Sequence, residues 1–181
     1  VKEQLGLSET EFGILAATPV LTGSLVRVPL GIWTDRYGGR IVFFVLMLLC
    51  VPAIFMMQYA DQFWQFLLIG LVMGLAGGSF SVGTPYVARW FPKHQQGMAM
   101  GVFGAGNAGS AVNKFLAPAL IAYGTWHFVP TVYAVIMLGT AIVFWFTSYH
   151  DKSHLVSSSV TLREQLALLK DPGVLRYSQY Y

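Results

Sequence analysis

The chain has 181 residues, of which 55% are hydrophobic and 10% charged, with a formal net charge of +3. Soluble domains carry roughly a quarter charged residues, so this composition excludes an ordinary soluble surface. Because most Lys and Arg residues flank apolar stretches, where they orient membrane helices, the positive charge does not indicate nucleic-acid binding. The single cysteine, Cys50, excludes both a disulfide framework and a cysteine-based metal site within the chain.

Five apolar stretches follow one another along the chain, each close to the roughly 20 residues that cross a bilayer. The first is the least obvious, because Glu11 opens it and Arg27 interrupts it. Lys114 is the one charge in the fourth stretch. We predict transmembrane spans over residues 11–33, 41–60, 63–88, 97–123 and 127–149.

Basic residues lie in alternate connections between these stretches, which sets the expected orientation. The rule predicts that residues 34–40, 89–96 and 150–181 are cytoplasmic. The acidic leading segment is then outside, so we expect one more helix to precede it. Residues 1–150 are predicted to form an N-terminal helical bundle, and residues 151–181 a cytoplasmic linker into a truncated next helix. We therefore expect an all-α membrane protein that is half of a twelve-helix protein, with the first helix and the C-terminal half missing.

Ionisable side chains in the membrane interior are costly, so those present are usually functional or paired. Arg27 and Lys114 are the two cations within the predicted spans, and no Asp or Glu lies well inside any span to pair with them. An anion is the natural missing partner. The structural alternative is that Arg27 pairs with a group in the missing helices or extends its side chain to the cytoplasmic surface.

The rise per residue of an α-helix predicts that one charged, one aromatic and one amide side chain lie at the same depth in the membrane. Arg27, Phe80 and Asn107 each lie about 12–15 Å from the cytoplasmic end of their span, near the membrane midplane. Facilitators hold their substrates at that depth, between helix repeats. Lys114 lies about 10 Å nearer the outside and is predicted to line the pathway rather than the site.

Glycines recur at short spacing in two of the spans. In the third span, Gly70, Gly74 and Gly78 form a GxxxG series that predicts close helix packing. In the fourth span, glycines crowd around Asn107. There we expect the missing side chains to leave room for a small planar anion beside the amide.

Residues 31–40 read Gly-Ile-Trp-Thr-Asp-Arg-Tyr-Gly-Gly-Arg. This run resembles the loop motif that the major facilitator superfamily carries between its second and third helices. The resemblance implies that the first span here is the family's second helix. It also implies a gating network of conformation-dependent contacts on the cytoplasmic side, formed by the motif residues Gly31, Asp35, Arg36, Gly38 and Arg40.

Residues 101–110 read Gly-Val-Phe-Gly-Ala-Gly-Asn-Ala-Gly-Ser. This run resembles the fifth-helix signature of the nitrate/nitrite porter family. The resemblance implies that Arg27 binds the anion, that Phe80 packs over it and that Asn107 adds a polar contact, while a second arginine comes from the missing C-terminal half. The signature backbone that it implies consists of Gly101, Gly104, Gly106 and Gly109.

We therefore expect a secondary active transporter, not an enzyme, that moves nitrate or nitrite by alternating access in the cell inner (plasma) membrane. Its expected partners are the anion, membrane lipid and the missing half, without a cofactor or metal. Proton symport and nitrate/nitrite exchange both stay open. The alternatives are a facilitator for an organic acid or phosphate and, more distantly, a membrane enzyme or a scaffold that does not transport.

Overall fold

The computed structural model describes residues 8–149, and that part of the chain is helical without a β-strand. The predicted linker over residues 151–181 lies outside the described residues. Four helical stretches are long and apolar enough to cross a membrane, namely Glu9–Tyr37, Gly39–Tyr59, Phe63–Trp90 and Phe128–Thr147. They correspond to the first, second, third and fifth predicted spans.

The first span consists of two helices, α1 (Glu9–Leu25) and α2 (Arg27–Tyr37). α1 begins at a capping box, in which the Ser8 hydroxyl accepts a hydrogen bond from the Glu11 backbone N–H and the Glu11 carboxylate accepts one from the Ser8 N–H. The interruption between α1 and α2 falls at Val26. Pro29 has no N–H to bond the carbonyl four residues earlier, which weakens the helix at that point.

The second span is α3 (Gly39–Met56), which ends in a short 3₁₀ turn, Met57–Tyr59. Gly38 separates α2 from α3 with φ at 87°, a backbone conformation that favours glycine. The third span contains α4 (Phe63–Gly74), a 3₁₀ segment (Leu75–Gly78) and α5 (Ser79–Trp90).

The fourth predicted span is helical over residues 93–123, as α6 (Lys93–Gly104), a 3₁₀ segment (Ala105–Ala108) and α7 (Gly109–Tyr123). It is absent from the four stretches that qualify as membrane spans by composition. Its asparagines, its lysine and its many glycines lower the mean hydropathy, so the most polar of the predicted spans is also the one that carries the candidate signature. The last helix, α8 (Phe128–Thr147), is the fifth span.

The second and fifth spans pack along each other, α3 against α8. Two aromatic pairs join the start of α3 to the end of α8, Phe43 with Phe144 at 5.4 Å between ring centroids and Phe44 with Trp145 at 4.5 Å. Toward the other end, buried Cys50 joins a small apolar cluster with residues of both helices. These contacts make α3 and α8 the broad apolar wall of the bundle.

The first and third spans cross at glycines. A Cβ on Gly74 would lie 2.7 Å from both the Pro19 carbonyl oxygen and the Thr22 Cβ, and one on Gly77 would lie 3.0 Å from the Gly23 Cα. No residue larger than glycine fits this crossing without a backbone shift. The prediction that the third-span glycines serve helix packing is confirmed at Gly74 and at Gly78, whose Cβ would meet the Leu30 side chain at 2.4 Å.

Candidate functional site

Arg27 is the first residue of α2, directly after the interruption at Val26. Its side chain is exposed, and within residues 8–149 it makes no hydrogen bond or ion pair with another residue. A guanidinium group carries five N–H donors and stays charged, so it leaves a strong, unsatisfied anion-binding group at this point of the bundle.

A cavity of about 770 Å³ lies beside Arg27. Phe80 of α5 and Asn107 of the 3₁₀ segment Ala105–Ala108 border the same cavity, so the structure brings together all three residues that the sequence places at one depth. Lys114 is exposed and is not part of the cavity wall. The wall is completed by Phe43, Ala76, Gly77, Ser79, Phe103, Gly106 and Ser110.

The aromatic part of the wall depends on a glycine. The Phe80 and Phe103 rings meet edge to face, with 5.2 Å between centroids and 68° between planes. A Cβ on Gly83 would lie 2.3 Å from the Phe103 Cζ, so this buried glycine admits the ring and lets α6 dock on α5. Sequence reasoning missed Phe103, although it lies inside the 101–110 run. It also missed Phe43, which an uninterrupted apolar stretch does not distinguish from its neighbours.

The electrostatics of the cavity are simple. Among the described residues of the wall, Arg27 is the one that is charged, and the other polar side chains are neutral, namely Ser79, Asn107 and Ser110. A single cation among apolar rings and small residues is screened less than it would be in water. The cavity can therefore hold a small anion. The Arg27 guanidinium would balance the charge of the anion, and the Asn107 amide would donate a neutral hydrogen bond to it.

The fourth-span glycines contrast with those of the third span. A Cβ on Gly101, Gly104, Gly106 or Gly109 would meet no described atom within 4 Å. Gly106 borders the cavity, which fits the expectation that missing side chains leave room there. The other three face space that residues 8–149 do not fill.

Arg27 also borders a second, smaller cavity of about 310 Å³ on the side of α1. Gly23, Gly74 and Gly77 line it, together with Ser24 of α1. The glycines at the close crossing of the first and third spans therefore also leave open space beside the Arg27 side chain.

The motif over residues 31–40 makes contacts with other spans. Asp35 pairs with Arg89 at the end of α5, with 2.7 Å between Oδ1 and Nη2, rather than with Arg36 or Arg40. This pair ties the first span to the third. Arg89 was missed as a site residue, although it is the last basic residue of the third helical stretch.

The two arginines of the motif, Arg36 and Arg40, each lie over an aromatic ring. Arg40 donates a hydrogen bond to the Trp145 carbonyl and lies over the Trp145 ring, with 4.4 Å from its Cζ to the centroid. Arg36 lies 5.8 Å over the Tyr37 ring. Gly31 has open space around its Cα, and Gly38 supplies the positive φ that reverses the chain. Arg40 therefore ties the second span to the fifth.

These observations define a class of protein. Most of the large apolar side chains described are exposed, four helical stretches can cross a membrane, and an unpaired cation faces a cavity among the helices. This is an integral membrane protein built around a solute-sized cavity.

Comparison with known sequences identifies the family. The Major Facilitator Superfamily profile matches residues 1–178, so the chain belongs to that superfamily, a group of membrane transporters rather than enzymes. The predicted fold class, the N-terminal part of such a transporter, is confirmed.

Several relatives are similar over most or all of the chain. A probable nitrate/nitrite antiporter of Thermus thermophilus is 38% identical over 194 residues, which cover 100% of this chain and 43% of the relative. A probable nitrate transporter of Staphylococcus aureus is 32% identical over 182 residues, covering 100% and 46%. A nitrite extrusion protein of Bacillus subtilis is 32% identical over 158 residues, covering 87% and 40%.

The resemblance to nitrate/nitrite porters is thereby confirmed. The chain spans less than half the length of these relatives.

Proposed function

We propose that the full-length protein transports nitrate or nitrite across the cell inner (plasma) membrane as a secondary active carrier. The observation that supports this most is the convergence of Arg27, Phe80 and Asn107 on one cavity. The relatives named for nitrate or nitrite transport agree with this proposal.

Each of the three residues has a distinct role in this proposal. Arg27 supplies the charge and a planar fork of donors that matches a trigonal oxyanion. Phe80, held edge to face against Phe103, provides a rigid apolar surface beside the anion. Asn107 provides a neutral donor. A nitrate ion has a delocalised charge, so it suits a guanidinium and an aromatic wall better than a compact ammonium group.

Transport follows by alternating access, in which the two halves of the carrier rock about a midplane site. Residues 34–40, 89–96 and 150–181 are assigned to the cytoplasmic side. The Asp35–Arg89 and Arg40–Trp145 contacts tie pairs of spans together at that end, so this half moves as one body. Gly101, Gly104, Gly106 and Gly109 are assigned to the signature backbone of the fourth span, of which Gly106 borders the described cavity, and Lys114 is assigned to the outer pathway. The opposing half supplies a second arginine.

The test is saturable nitrate uptake into proteoliposomes that contain the full-length protein. Arg27→Lys keeps the charge but loses the planar fork, so we expect the half-saturation concentration to rise by about 10- to 100-fold, the equivalent of one or two charge-assisted hydrogen bonds. Lys93→Arg at the start of α6 is the matched control, because it is an equally conservative change outside the cavity wall.

Unchanged uptake in a correctly folded Arg27→Lys carrier would make Arg27 a structural cation and remove the main support for the site. Phosphate and small carboxylates are added as competitors in the same assay. Stronger competition by either of these than by nitrite would assign the carrier to that other anion.

Uptake driven by an outward nitrite gradient, compared with uptake driven by an inward proton gradient, separates exchange from symport. The described cavity wall contains no Asp, Glu or His, so no proton-coupling group is assigned within it.

A further inference from the structure

Two of the spans change helix type where they meet the cavity. The 3₁₀ segments Leu75–Gly78 and Ala105–Ala108 are both four residues long, and both contribute to the cavity wall, through Ala76 and Gly77 in one and Gly106 and Asn107 in the other. Such short 3₁₀ stretches within helices often mark functional positions. The two segments therefore belong to the site rather than to the ends of the spans.

The backbone N–H groups at these segments are already bonded. The Ser79 N–H donates to the Ala76 carbonyl, and the Gly109 N–H donates to the Gly106 carbonyl. The segments thus do not free amide donors for an anion. Their effect is geometric: a 3₁₀ helix turns by about 120° per residue and an α-helix by about 100°, so four residues rotate the following helix by roughly 80° more than an uninterrupted helix would.

A serine hydroxyl holds each segment at its end. Ser81 Oγ donates to the Gly78 carbonyl at 2.7 Å, and Ser110 Oγ donates to the Asn107 carbonyl at 2.9 Å. Both hydroxyls bond three residues back. The other helical hydroxyls in the described part of the chain that bond a carbonyl of their own helix do so four residues back, as Ser24, Thr34 and Thr140 illustrate. Side-chain hydroxyls in helices bond carbonyls three or four residues back. What these two serines share is that the accepting carbonyl, of Gly78 or of Asn107, belongs to a 3₁₀ segment, so each hydroxyl adds a bond to that segment.

Ser110 differs from Ser81 in its relation to the site. It borders the cavity, and the carbonyl that it bonds is that of Asn107 itself. We propose that Ser110 is a positioning residue, whose hydroxyl fixes the 3₁₀ turn of Asn107 and thereby aims the Asn107 amide at the bound anion. This inference rests on the proposed function, because it concerns the same anion site.

In this proposal the Ser110 hydroxyl acts by fixing how far the helix is rotated about its own axis at residues 105–108. Without the hydroxyl, residues 105–108 relax toward the α-helix, which turns the Asn107 side chain relative to the Phe103 ring while leaving the helix intact. The amide then no longer reaches the anion, whereas Arg27 is unaffected. The loss falls on affinity and not on the rate of the conformational cycle.

The experiment measures the half-saturation concentration and the maximal rate of nitrate uptake by the full-length protein in proteoliposomes. Ser110→Ala should raise the half-saturation concentration by about 3- to 10-fold, the range of one neutral hydrogen bond, and keep the maximal rate within about twofold. Ser110→Thr, which keeps the hydroxyl, should restore the wild-type value. Thr140→Val, which removes a back-bonded hydroxyl from α8 away from the cavity, is the matched control.

A double-mutant comparison separates positioning from general stability. In an Asn107→Ala carrier, Ser110→Ala should add no further change, because the group that it aims is gone. An equal rise in both backgrounds, or an unchanged value for Ser110→Ala alone, overturns the proposal. If Ser110→Ala does not elute as a folded carrier, Ser110→Val is compared with Ser110→Thr, which has the same shape but keeps the hydroxyl, and equal half-saturation concentrations in the two overturn the proposal as well.

Absence of saturable nitrate uptake by the wild-type carrier would instead refute the proposed function, on which the inference depends.

Discussion

The third and fourth spans use glycine for opposite purposes. At Gly74 the Cα faces the backbone of α1, and any side chain would collide with Pro19 and Thr22. At Gly101 and Gly109 a side chain would meet no described atom. The spacing of the glycines is similar in the two spans, so spacing alone does not distinguish a helix crossing from an open surface. The difference lies in whether a partner backbone is present.

This comparison predicts the largest effect for Gly74→Leu. The new side chain would push α1 and α4 apart at a crossing where the nearest atoms belong to the backbone. We expect a loss of about 3 kcal/mol in the free energy of unfolding, the upper part of the range for overpacked interiors. The measurement is denaturant-induced unfolding of the 181-residue chain in detergent, followed by tryptophan fluorescence.

Gly109→Leu is the matched control for that measurement, since a Cβ at Gly109 meets no described atom within 4 Å. We expect it not to lower the unfolding free energy, because leucine is also a better helix former than glycine. A loss at Gly109 as large as that at Gly74 would show that the fourth span is covered in the isolated chain, and the comparison would fail.

An intermediate effect is expected at Gly83, where the third and fourth spans meet. Gly83→Ala places a Cβ against the Phe103 ring, which is the end of a side chain and can move, so the cost should be about 1–2 kcal/mol. Phe103→Leu in the same chain should recover part of that loss by removing the ring edge. No recovery in the double variant would mean that the Phe103 ring does not dock against Gly83.

The smallest effect is expected for Gly101→Ala. Alanine is the better helix former by roughly 1 kcal/mol, and nothing in the described structure opposes its methyl group. The unfolding free energy of the 181-residue chain should therefore increase slightly, by about 0.5–1 kcal/mol. A decrease would indicate that a neighbour already packs on this face of α6.

Much of the fold could be predicted from the sequence because membrane helices depend on length and apolarity. Four of the five predicted stretches meet both conditions in the structure. The fourth span is helical but less apolar, because it contains polar and charged residues such as Asn107 and Lys114. Pro85 and Pro118 lie inside α5 and α7, whereas the changes of helix type fall at glycine-rich segments.

The candidate site was predictable only in part. Depth, counted at 1.5 Å per residue, correctly grouped Arg27, Phe80 and Asn107, because it requires only that each span is a helix. It did not reveal Phe43 or Phe103, since which face of a helix meets a cavity depends on rotation. The 3₁₀ segments change that rotation. The Asp35–Arg89 pair was missed for a related reason: Asp35 has basic neighbours in its own motif, yet its partner Arg89 comes from a distant part of the chain.

Cys50 has a practical consequence. It is the one cysteine among 181 residues, and 2% of its surface is exposed, within the cluster between α3 and α8. Because the thiol is buried, thiol-directed labels will not react with it in the folded chain. A cysteine introduced on the cavity wall, for example Ser79→Cys, is then the one reactive thiol of the chain, so a fluorescent or spin label there reports on the cavity without a prior substitution that would disturb the apolar wall.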